Sequence, residues 1–519
     1  MISALSLGGL SDLIDNNAAA LNVPGVLAAR PGYVADADGW PTTQRAIVVL
    51  KERGALDPAV PQQIAGIPVQ VREAHPFESF AAQQPQAAAE LALTRAEAHL
   101  DAFAAQTGVP AADAQVLAAK PSQPYEPPAG VPLTRVSGPL TFTVHASPDA
   151  GWPQLRAFLA ATQRELVVGM YDFTSKHILD AVDAALVGGK KLVITLDNPA
   201  PNPSRDQLDV ETLRSLRTDL SDDMSAAWAL NRMNRDISVW VYPSAYHIKV
   251  AVRDGEHVWL SSGNWNNSNQ PDFDPIGSPS ADDQQTARTS DRDWHVIIEN
   301  HDLAAQFRAY LLKDSEVALE AVKEGNAAAV SAAVPQPAMP DVLGRPAAHF
   351  TFHAPLRLEG EQATITPLLT PDPNVYHKAL LDRIKAVTES LYIQLQYIHP
   401  SNNSPADDSF TELIEAVKEK IGDGKDVRII LSEWQVPGGW LDRLQDAGIA
   451  LDNVKIQQGV HNKGFVFDHK AVALGSQNWS GDGVLRNRDA SVIIDSAEAA
   501  KYFETIFLHD WDNVAQRKT

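Results

Sequence analysis

The chain contains no cysteine in 519 residues. This absence excludes disulfide scaffolds, thiolate metal sites and cysteine nucleophiles. It carries no information about the redox compartment.

Long apolar runs are also missing. No stretch approaches the roughly 18 apolar residues that a membrane span needs. The short apolar stretch from Met1 to Leu10 has no basic residue ahead of it and is followed by Asp12 and Asp15, which is unlike a signal peptide. We therefore expect a soluble, cytoplasmic protein without a transmembrane segment, although secretion is not excluded by the sequence.

Basic residues are scarce relative to acidic ones. The chain has 43 Lys and Arg against 65 Asp and Glu, a formal net charge of -22. Such a surface repels phosphate backbones and anionic membranes at low salt, so an anionic substrate has to be attracted by a local basic site. The balance counts against a non-specific nuclease, whose affinity usually comes from widespread Lys and Arg.

The length of the chain predicts two or three domains. Predicted strands at Ala46–Leu50 and Ile67–Val71 indicate a small α/β module near the N-terminus. A helix is predicted over 84–106, and another from Asp302 to Val334. We expect five parts: the α/β module (1–83), a helix with a Pro-rich linker (84–135), a first lobe (136–334), a second linker (335–349) and a second lobe (350–519).

The two lobes are predicted to be copies of one β-α-β unit. The predicted elements are strand Leu166–Met170, helix His177–Val187 and strand Lys191–Leu196 in the first copy, and strand Leu391–Leu395, helix Ser409–Ile421 and strand Val427–Leu431 in the second. Glycines end both helices, and the nearly continuous apolar strands suit a buried, largely parallel sheet.

Each lobe then carries the same histidine motif. The first copy has His247 and Lys249 followed by Asp254. The second copy has His461 and Lys463 followed by Asp468 at the same spacing. Because positions two apart on a strand share a face, each motif places an imidazole beside an ammonium group.

Further polar positions match between the copies. Asn264 and Asn478 stand at the same distance after their histidines, and each is followed by a tryptophan that we expect to pack against the motif turn, Trp265 and Trp479. An Arg-Asp pair precedes an apolar strand in each copy: Arg292-Asp293 and Arg488-Asp489. Packing alone does not explain so many registered polar positions.

These residues resemble the motifs of the phospholipase D superfamily, over roughly residues 140–519. The resemblance implies two pseudo-symmetric α/β lobes packed together with both histidines at their interface. It also implies that His247 is the nucleophile and His461 the general acid, an order that the sequence itself leaves open. Asp293 and Asp489 stand where the superfamily has an acid behind each histidine.

The chemistry of phosphodiester transfer fits the same residues. Two histidines supply a nucleophile and a proton donor near neutral pH, which predicts a phosphohistidine intermediate. The cations and donors expected around the phosphate are Lys249, Lys463, Asn264 and Asn478. Neither a metal nor a cofactor is then required. Asp254 and Asp468 are expected to support the fold beside the motif.

The first copy differs from the second in two places. Ser261 stands where the second copy has Gly475, and the first copy carries an insert, Asn266–Ser290. We expect the insert to be a loop at the mouth of the site. Its acidic side chains are expected to be solvated rather than to bind a cation; they are Asp272, Asp274, Asp282 and Asp283.

The substrate stays open between classes. Phospholipase D activity on a glycerophospholipid is favoured by the acidic surface and by the bulk of the superfamily. A metal-independent nuclease is the alternative, since the segment from Gly475 to Ser480 resembles small nuclease-like members. In a third reading, the N-terminal module binds a protein or ligand and regulates the lobes as its effector. Hydrolysis versus transfer and the oligomeric state are not determined by the sequence.

Overall fold

A computed structural model describes most of the chain. The described residues are 13–14, 16–21, 23–35, 41–51, 56–73, 126–197, 207, 209–234, 237–240, 245–277, 279–324, 350–372, 375–400, 408–436 and 440–517. The helix predicted over 84–106, the end of the helical stretch predicted to Val334 and the linker at 335–349 lie outside them.

The N-terminal region contains a sheet of four strands in the order β1-β2-β4-β3. The strands are β1 (Val26–Ala35), β2 (Pro41–Lys51), β3 (Gln63–Ile64) and β4 (Ile67–Glu73). Both predicted strands are confirmed, and β2 and β4 run parallel. Ile47, Val49 and Ile67 form the core of this sheet with Leu21 of the helix Ala18–Leu21. The boundary of this module at residue 83 stays a prediction.

One continuous sheet of 14 strands runs through both lobes. Its strands in the first lobe are β5 (Val136–Ser147), β6 (Glu165–Met170), β7 (Lys191–Leu196), β8 (Met224–Trp228), β11 (Lys249–Arg253), β12 (His257–Ser261) and β13 (Asp293–Glu299), and β9 (Leu230–Asn234) and β10 (Ile237–Trp240) form a separate pair. Its strands in the second lobe are β14 (Leu356–Thr370), β15 (Ser390–Leu395), β16 (Asp426–Leu431), β17 (Val454–Ile456), β18 (Lys463–Phe467), β19 (Ala471–Gly475) and β20 (Asp489–Asp495).

The strand order shows the internal symmetry: β17-β16-β15-β18-β19-β20-β14 in one half and β5-β13-β12-β11-β6-β7-β8 in the other. The long strands β14 and β5 pair antiparallel at the centre and join the lobes. The chain therefore folds as two pseudo-symmetric α/β lobes, as expected.

The predicted β-α-β units are confirmed. Strands β6 and β7 are parallel and flank the helix Lys176–Leu186. Strands β15 and β16 are parallel and flank the helix Asp408–Gly422. The prediction of a largely parallel sheet is wrong, however, because β6 and β15 each pair antiparallel with the motif strand on their other side. A continuous apolar run indicates that both faces of a strand are buried, but it does not indicate whether the strand is parallel or antiparallel to its neighbours.

Helices cover both faces of the large sheet. Helices His301–Glu324 and Ala497–Asn513 share one core that extends across both lobes, with Phe307 and Phe503 among its buried residues. The opposite face has a separate core in each lobe. The other helices of the lobes are Gly151–Ala160, Asp209–Leu220, Ala281–Arg288, Val375–Ala386, Trp440–Asp446 and Gly481–Leu485.

Within the described residues, no helix combines the length and the apolar character that crossing a membrane requires. The cytoplasmic location stays a prediction.

Candidate active site

The two histidine motifs occupy equivalent positions in the large sheet. Strand β11 begins at Lys249 and β18 at Lys463, so each motif histidine lies two residues before its strand. Lys249 pairs with the last residue of β6 and Lys463 with the last residue of β15. Each motif therefore lies at the start of an interior strand, at the equivalent position of its own lobe.

Backbone hydrogen bonds join the histidine of each lobe to the other lobe. The N–H of His247 donates to the carbonyl oxygen of Arg488 at 2.8 Å, and the N–H of His461 donates to that of Arg292 at 3.1 Å. The structure thus brings both predicted histidines to the interface between the lobes.

Each imidazole is also hydrogen-bonded to a carboxylate of the opposite lobe. Nδ1 of His247 lies 2.9 Å from Oδ1 of Asp489, and Nδ1 of His461 lies 3.0 Å from Oδ1 of Asp293. Because a carboxylate only accepts, each Nδ1 carries the proton and each Nε2 keeps a lone pair in the neutral ring. The two predicted acids are therefore exchanged between the lobes.

Serine hydroxyls hold both carboxylates from within their own lobe. Ser262 Oγ donates to Oδ1 of Asp293 at 2.7 Å, and Ser476 Oγ donates to Oδ1 of Asp489 at 2.5 Å. Neither serine was predicted as a site residue from the sequence. They stand two residues before Asn264 and Asn478, so the matched spacing of the repeats could have identified them.

Burial lowers the pKa of both imidazoles, to about 3 for His247 and to about 4 for His461. The neighbouring ammonium of Lys249 lowers the pKa of His247 further, and Lys463 does the same to His461, while the bonded carboxylates act in the opposite direction. Both rings are therefore neutral near pH 7 when no substrate is bound.

The two motif lysines are buried. Lys249 Nζ donates to the carbonyl oxygen of His247 at 2.5 Å, and Lys463 Nζ donates to that of His461 and lies 3.2 Å from Nε2 of the same ring. Burial lowers the pKa of both ammonium groups, to about 8 for Lys463, and the charge of Lys463 lowers the pKa of Lys249 further. Two desolvated ammonium groups that are close enough to repel each other favour the binding of an anion beside them.

The matched asparagines, Asn264 and Asn478, are 6% and 8% exposed. The Oδ1 atom of each is buried without a hydrogen-bond partner among the described residues. Buried polar atoms are rarely left unpaired, so each Oδ1 can accept a hydrogen bond from a ligand donor. Only the Nδ2 group of the same amide can donate to a phosphate oxygen.

The arginines of the matched Arg-Asp pairs are buried, and each bridges two aspartates, one from each lobe. The bridges are Arg292 with Asp149 and Asp510, and Arg488 with Asp314 and Asp372. Nε of Arg488, for example, donates to Oδ2 of Asp314 at 2.9 Å. In each Arg-Asp pair, the arginine therefore joins the two lobes, and the aspartate binds the motif histidine of the other lobe.

The motif aspartates, Asp254 and Asp468, lie away from the histidines. Asp254 accepts from the backbone N–H groups of residues 163, 164 and 165, and Asp468 accepts from those of 388, 389 and 390. Burial acts to raise the pKa of each carboxyl, but these hydrogen bonds outweigh it and lower the pKa. Both carboxylates hold the turn that precedes β6 or β15.

The replacement of glycine by Ser261 in the first lobe follows from the residue opposite. A Cβ at Gly475 would lie 1.9 Å from Oγ of Ser491, so that position requires glycine. Ser261 pairs instead with His295, and its Oγ lies 2.6 Å from Nδ1 of that ring. The side chain is thus accommodated by a hydrogen bond that the second lobe does not make.

The insert Asn266–Ser290 is a loop only in part. Residues Ala281–Arg288 form a helix whose N-terminus has a capping box of Ser280 and Asp283. At the other end of the insert, Asn269 Nδ2 donates to Oδ2 of Asp293 at 2.9 Å. Asn269 was not predicted as a site residue from the sequence, because it has no matched partner in the second copy.

The tryptophans that follow the matched asparagines are buried, as expected. Trp265 is 0% and Trp479 1% exposed. Trp265 packs edge-on against Phe173, and Trp479 lies against Phe465. Both support the turn that carries the asparagine.

Two α/β lobes that each contribute a His-x-Lys segment to one interface define the class of a phosphodiester-acting enzyme with a composite site. Comparison with known proteins supports this class. Residues 380–511 match the family model described as "Cardiolipin synthase, PLD-like domain". No curated protein sequence matches the chain.

Several solved structures are similar in fold at low sequence identity. Phosphatidylserine synthase from Haemophilus influenzae is 12% identical over 73% of this chain and 90% of its own, with a TM-score of 0.46. The phospholipase D family member Nuc from Salmonella typhimurium is 18% identical over 30% and 99%, with a TM-score of 0.25. Polyphosphate kinase from Porphyromonas gingivalis is 13% identical over 73% and 52%, with a TM-score of 0.40.

Residues 380–511, most of the second lobe, therefore belong to the PLD-like domain family. The family model covers the second lobe, and the first lobe repeats the His-x-Lys, Asn-Trp and Arg-Asp positions of the second.

Proposed function

We propose that this protein is a phospholipase D that transfers the phosphatidyl group of a glycerophospholipid through a phosphohistidine. One observation carries the proposal. The Nδ1 atoms of His247 and His461 are each engaged by a carboxylate, so both Nε2 atoms lie outside these bonds and beside two buried lysines. Nε2 of His461 lies 3.2 Å from Nζ of Lys463, so that Lys463 Nζ and a phosphate placed there would be neighbours.

In the first step, Nε2 of His247 attacks phosphorus and forms the P–N bond. The bond from phosphorus to the head-group oxygen breaks, and its electron pair stays on that oxygen. The leaving oxygen takes a proton from Nε2 of His461. Lys249 and Lys463, with the amides of Asn264 and Asn478, bind the other phosphate oxygens as negative charge develops.

In the second step, water or an alcohol attacks the phosphohistidine. The attacking oxygen gives its proton to His461 as its bond to phosphorus forms, and the P–N electrons return to His247. Asp489 favours the charge that His247 acquires in the first step, and Asp293 does the same for protonated His461.

Protonation of His461 follows from binding an anion. Burial and the ammonium of Lys463 keep this ring neutral in the free protein. A phosphodiester anion beside the lysines opposes their charge and raises the proton affinity of the ring. Substrate binding is therefore coupled to uptake of one proton.

Two observations favour a lipid over a nucleic acid. The net charge of -22 opposes a polyanionic substrate, whereas a lipid presents a single phosphodiester in an interface that can be electrically neutral. The family model that matches the second lobe also carries a lipid synthase in its description.

The test is choline release from phosphatidylcholine vesicles in excess EDTA, with wild type, His247→Ala and His461→Ala. His301→Ala is a matched control, because this side chain is 68% exposed and bonded to Glu256. We expect wild type and control to release choline and both site variants to lose release. Added ethanol should divert product from phosphatidate to phosphatidylethanol, as a shared intermediate predicts, and should leave choline release unchanged when formation of that intermediate limits the rate. Absence of choline release from folded wild type, with cleavage of single-stranded DNA, would replace the lipase proposal by the nuclease.

A further inference from the structure

The first lobe holds its carboxylate through a residue that the second lobe lacks. Asn269 is 1% exposed, and its Nδ2 donates to Oδ2 of Asp291 at 3.0 Å and to Oδ2 of Asp293 at 2.9 Å. Its Oδ1 accepts from the backbone N–H of Asn264 at 3.0 Å. Asn269 thus joins the orienting carboxylate to the turn that carries a phosphate-binding amide.

The equivalent carboxylate of the second lobe is held at one oxygen. Oδ1 of Asp489 is bonded to His247 and Ser476 in the same way that Oδ1 of Asp293 is bonded to His461 and Ser262. Oδ2 of Asp489, however, is buried and has no hydrogen-bond partner among the described residues. The two halves of the site therefore differ at the second carboxylate oxygen.

A carboxylate held at both oxygens cannot rotate about its Cβ–Cγ bond without losing a hydrogen bond. The carboxylate of Asp293 is therefore held more firmly behind the His461 ring than that of Asp489 behind the His247 ring. Nδ1 of His247 has a second acceptor instead, the carbonyl oxygen of Ser476 at 3.1 Å. The shared donor also lies between two carboxylates, Asp291 and Asp293. Burial, and then the charge of Asp293, raises the pKa of Asp291 to about 7.

We propose that Asn269 is a positioning residue that acts through Asp293 to hold His461 in the orientation from which Nε2 protonates the leaving oxygen. The inference rests on the proposed two-histidine mechanism. It makes the asymmetry of the site a consequence of the insert in the first lobe, since Asn269 belongs to Asn266–Ser290. On the nucleophilic side, Oδ2 of Asp489 has no equivalent donor in the part of the chain that the structure describes.

A proton donor matters only when the leaving group needs a proton. Choline leaves phosphatidylcholine as a poorly stabilised alkoxide unless it is protonated, whereas p-nitrophenolate leaves phosphatidyl-p-nitrophenol without a proton. Both substrates give the same phosphatidyl-histidine. The kcat/KM value contains steps only up to release of the first product, so the comparison isolates the proton-donating step.

The experiment measures kcat/KM for both substrates with the full-length wild type and the variants Asn269→Ala, Asn269→Asp and Ser476→Ala. We expect Asn269→Ala to lose about 10- to 100-fold on phosphatidylcholine and little on the nitrophenyl ester. Asn269→Asp keeps an acceptor for the N–H of Asn264 and cannot donate once it is ionised, so above the pKa of the new carboxyl group it should show the same selectivity. Ser476→Ala removes a partner of Asp489 on the nucleophilic side and should lower both values equally.

Equal losses on the two substrates for both Asn269 variants would overturn the positioning role. Unequal losses for Ser476→Ala would overturn it as well, because leaving-group selectivity would then not be specific to the Asp293 side. Wild type that releases neither choline nor p-nitrophenol would overturn the proposed function and this inference together. Melting temperatures of all variants separate these results from misfolding.

Discussion

Oδ1 of Asp489 accepts a hydrogen bond from Nδ1 of His247 at 2.9 Å, although the two residues are 242 positions apart and belong to opposite lobes. The reciprocal bond joins His461 to Asp293. Neither lobe therefore contains both members of a motif histidine-carboxylate pair. The site exists only when both lobes are folded and packed, which ties activity to the interface between them.

The exchanged carboxylates give the first prediction. Asp293→Asn and Asp489→Asn keep the shape of the side chain but remove the charge that favours a protonated or phosphorylated ring. We expect each to lower kcat/KM for choline release by on the order of 10² or more. The melting temperature should be nearly unchanged in Asp489→Asn, where Oδ2 has no partner among the described residues, and lower in Asp293→Asn, where the new amide group faces the donor of Asn269. Asp382→Asn is the control, since Asp382 is 61% exposed in a surface pair with Lys378. Activity within about twofold of wild type in either site variant would contradict the prediction.

The second prediction concerns the buried arginine bridges. Arg488→Ala leaves Asp314 and Asp372 buried without their cation and removes a contact that joins the lobes. We expect a loss of about 3–5 kcal/mol in the free energy of unfolding, measured by urea denaturation. Lys378→Ala, in the exposed pair with Asp382, should change it by less than about 1 kcal/mol. Similar losses in both variants would show that the bridge contributes no more than a surface ion pair.

The features that could be predicted from the sequence are those that occur in both copies of the repeat. His247 and His461, their lysines and the matched asparagines could be found because a repeat gives each position an internal reference. The β-α-β units were predictable for a related reason, since apolar periodicity reports burial locally. The same signal does not encode strand direction, which is why the prediction of a largely parallel sheet failed.

Other features depend on contacts between residues far apart in the chain. The motif arginines could be registered from the sequence, but their partners could not: Asp149 and Asp510 surround Arg292 only after the lobes have packed. Asn269 occurs in one lobe, so no repeat singles it out. The exchange of carboxylates could not be predicted either. Matched spacing identifies Asp293 and Asp489 as equivalent, but it does not show that each binds the histidine of the other lobe.

The third prediction separates the two kinds of aspartate. Asp254 has a positive φ of 56° and accepts three backbone N–H groups. Asparagine tolerates this conformation, so Asp254→Asn should fold but lose about 1 kcal/mol of stability, read as a lower melting temperature. The kcat/KM value per folded molecule should stay close to wild type, opposite to the expectation for Asp293→Asn. A large loss of activity without a loss of stability would place Asp254 in the chemistry instead of the fold.

The fourth prediction uses the titration of Lys463. Burial lowers the pKa of its ammonium to about 8, so the cation is present below that pH and is lost as the pH rises through it. An arginine keeps its charge to much higher pH. Lys463→Arg is expected to have lower kcat/KM than wild type at pH 7, because a guanidinium differs in shape from an ammonium. The ratio of wild type to variant should nevertheless fall above about pH 8, as wild type alone loses its cation.

Measuring this ratio across pH removes the contribution of His247 and His461, because both proteins share them. Lys378→Arg provides the matched control, since Lys378 is 70% exposed and distant from the motifs in sequence; its ratio to wild type should be flat. A flat ratio for Lys463→Arg from pH 6 to pH 10 would mean that the ammonium of Lys463 is not the cation that binds the phosphate. A falling ratio would identify its positive charge as the property that the reaction requires.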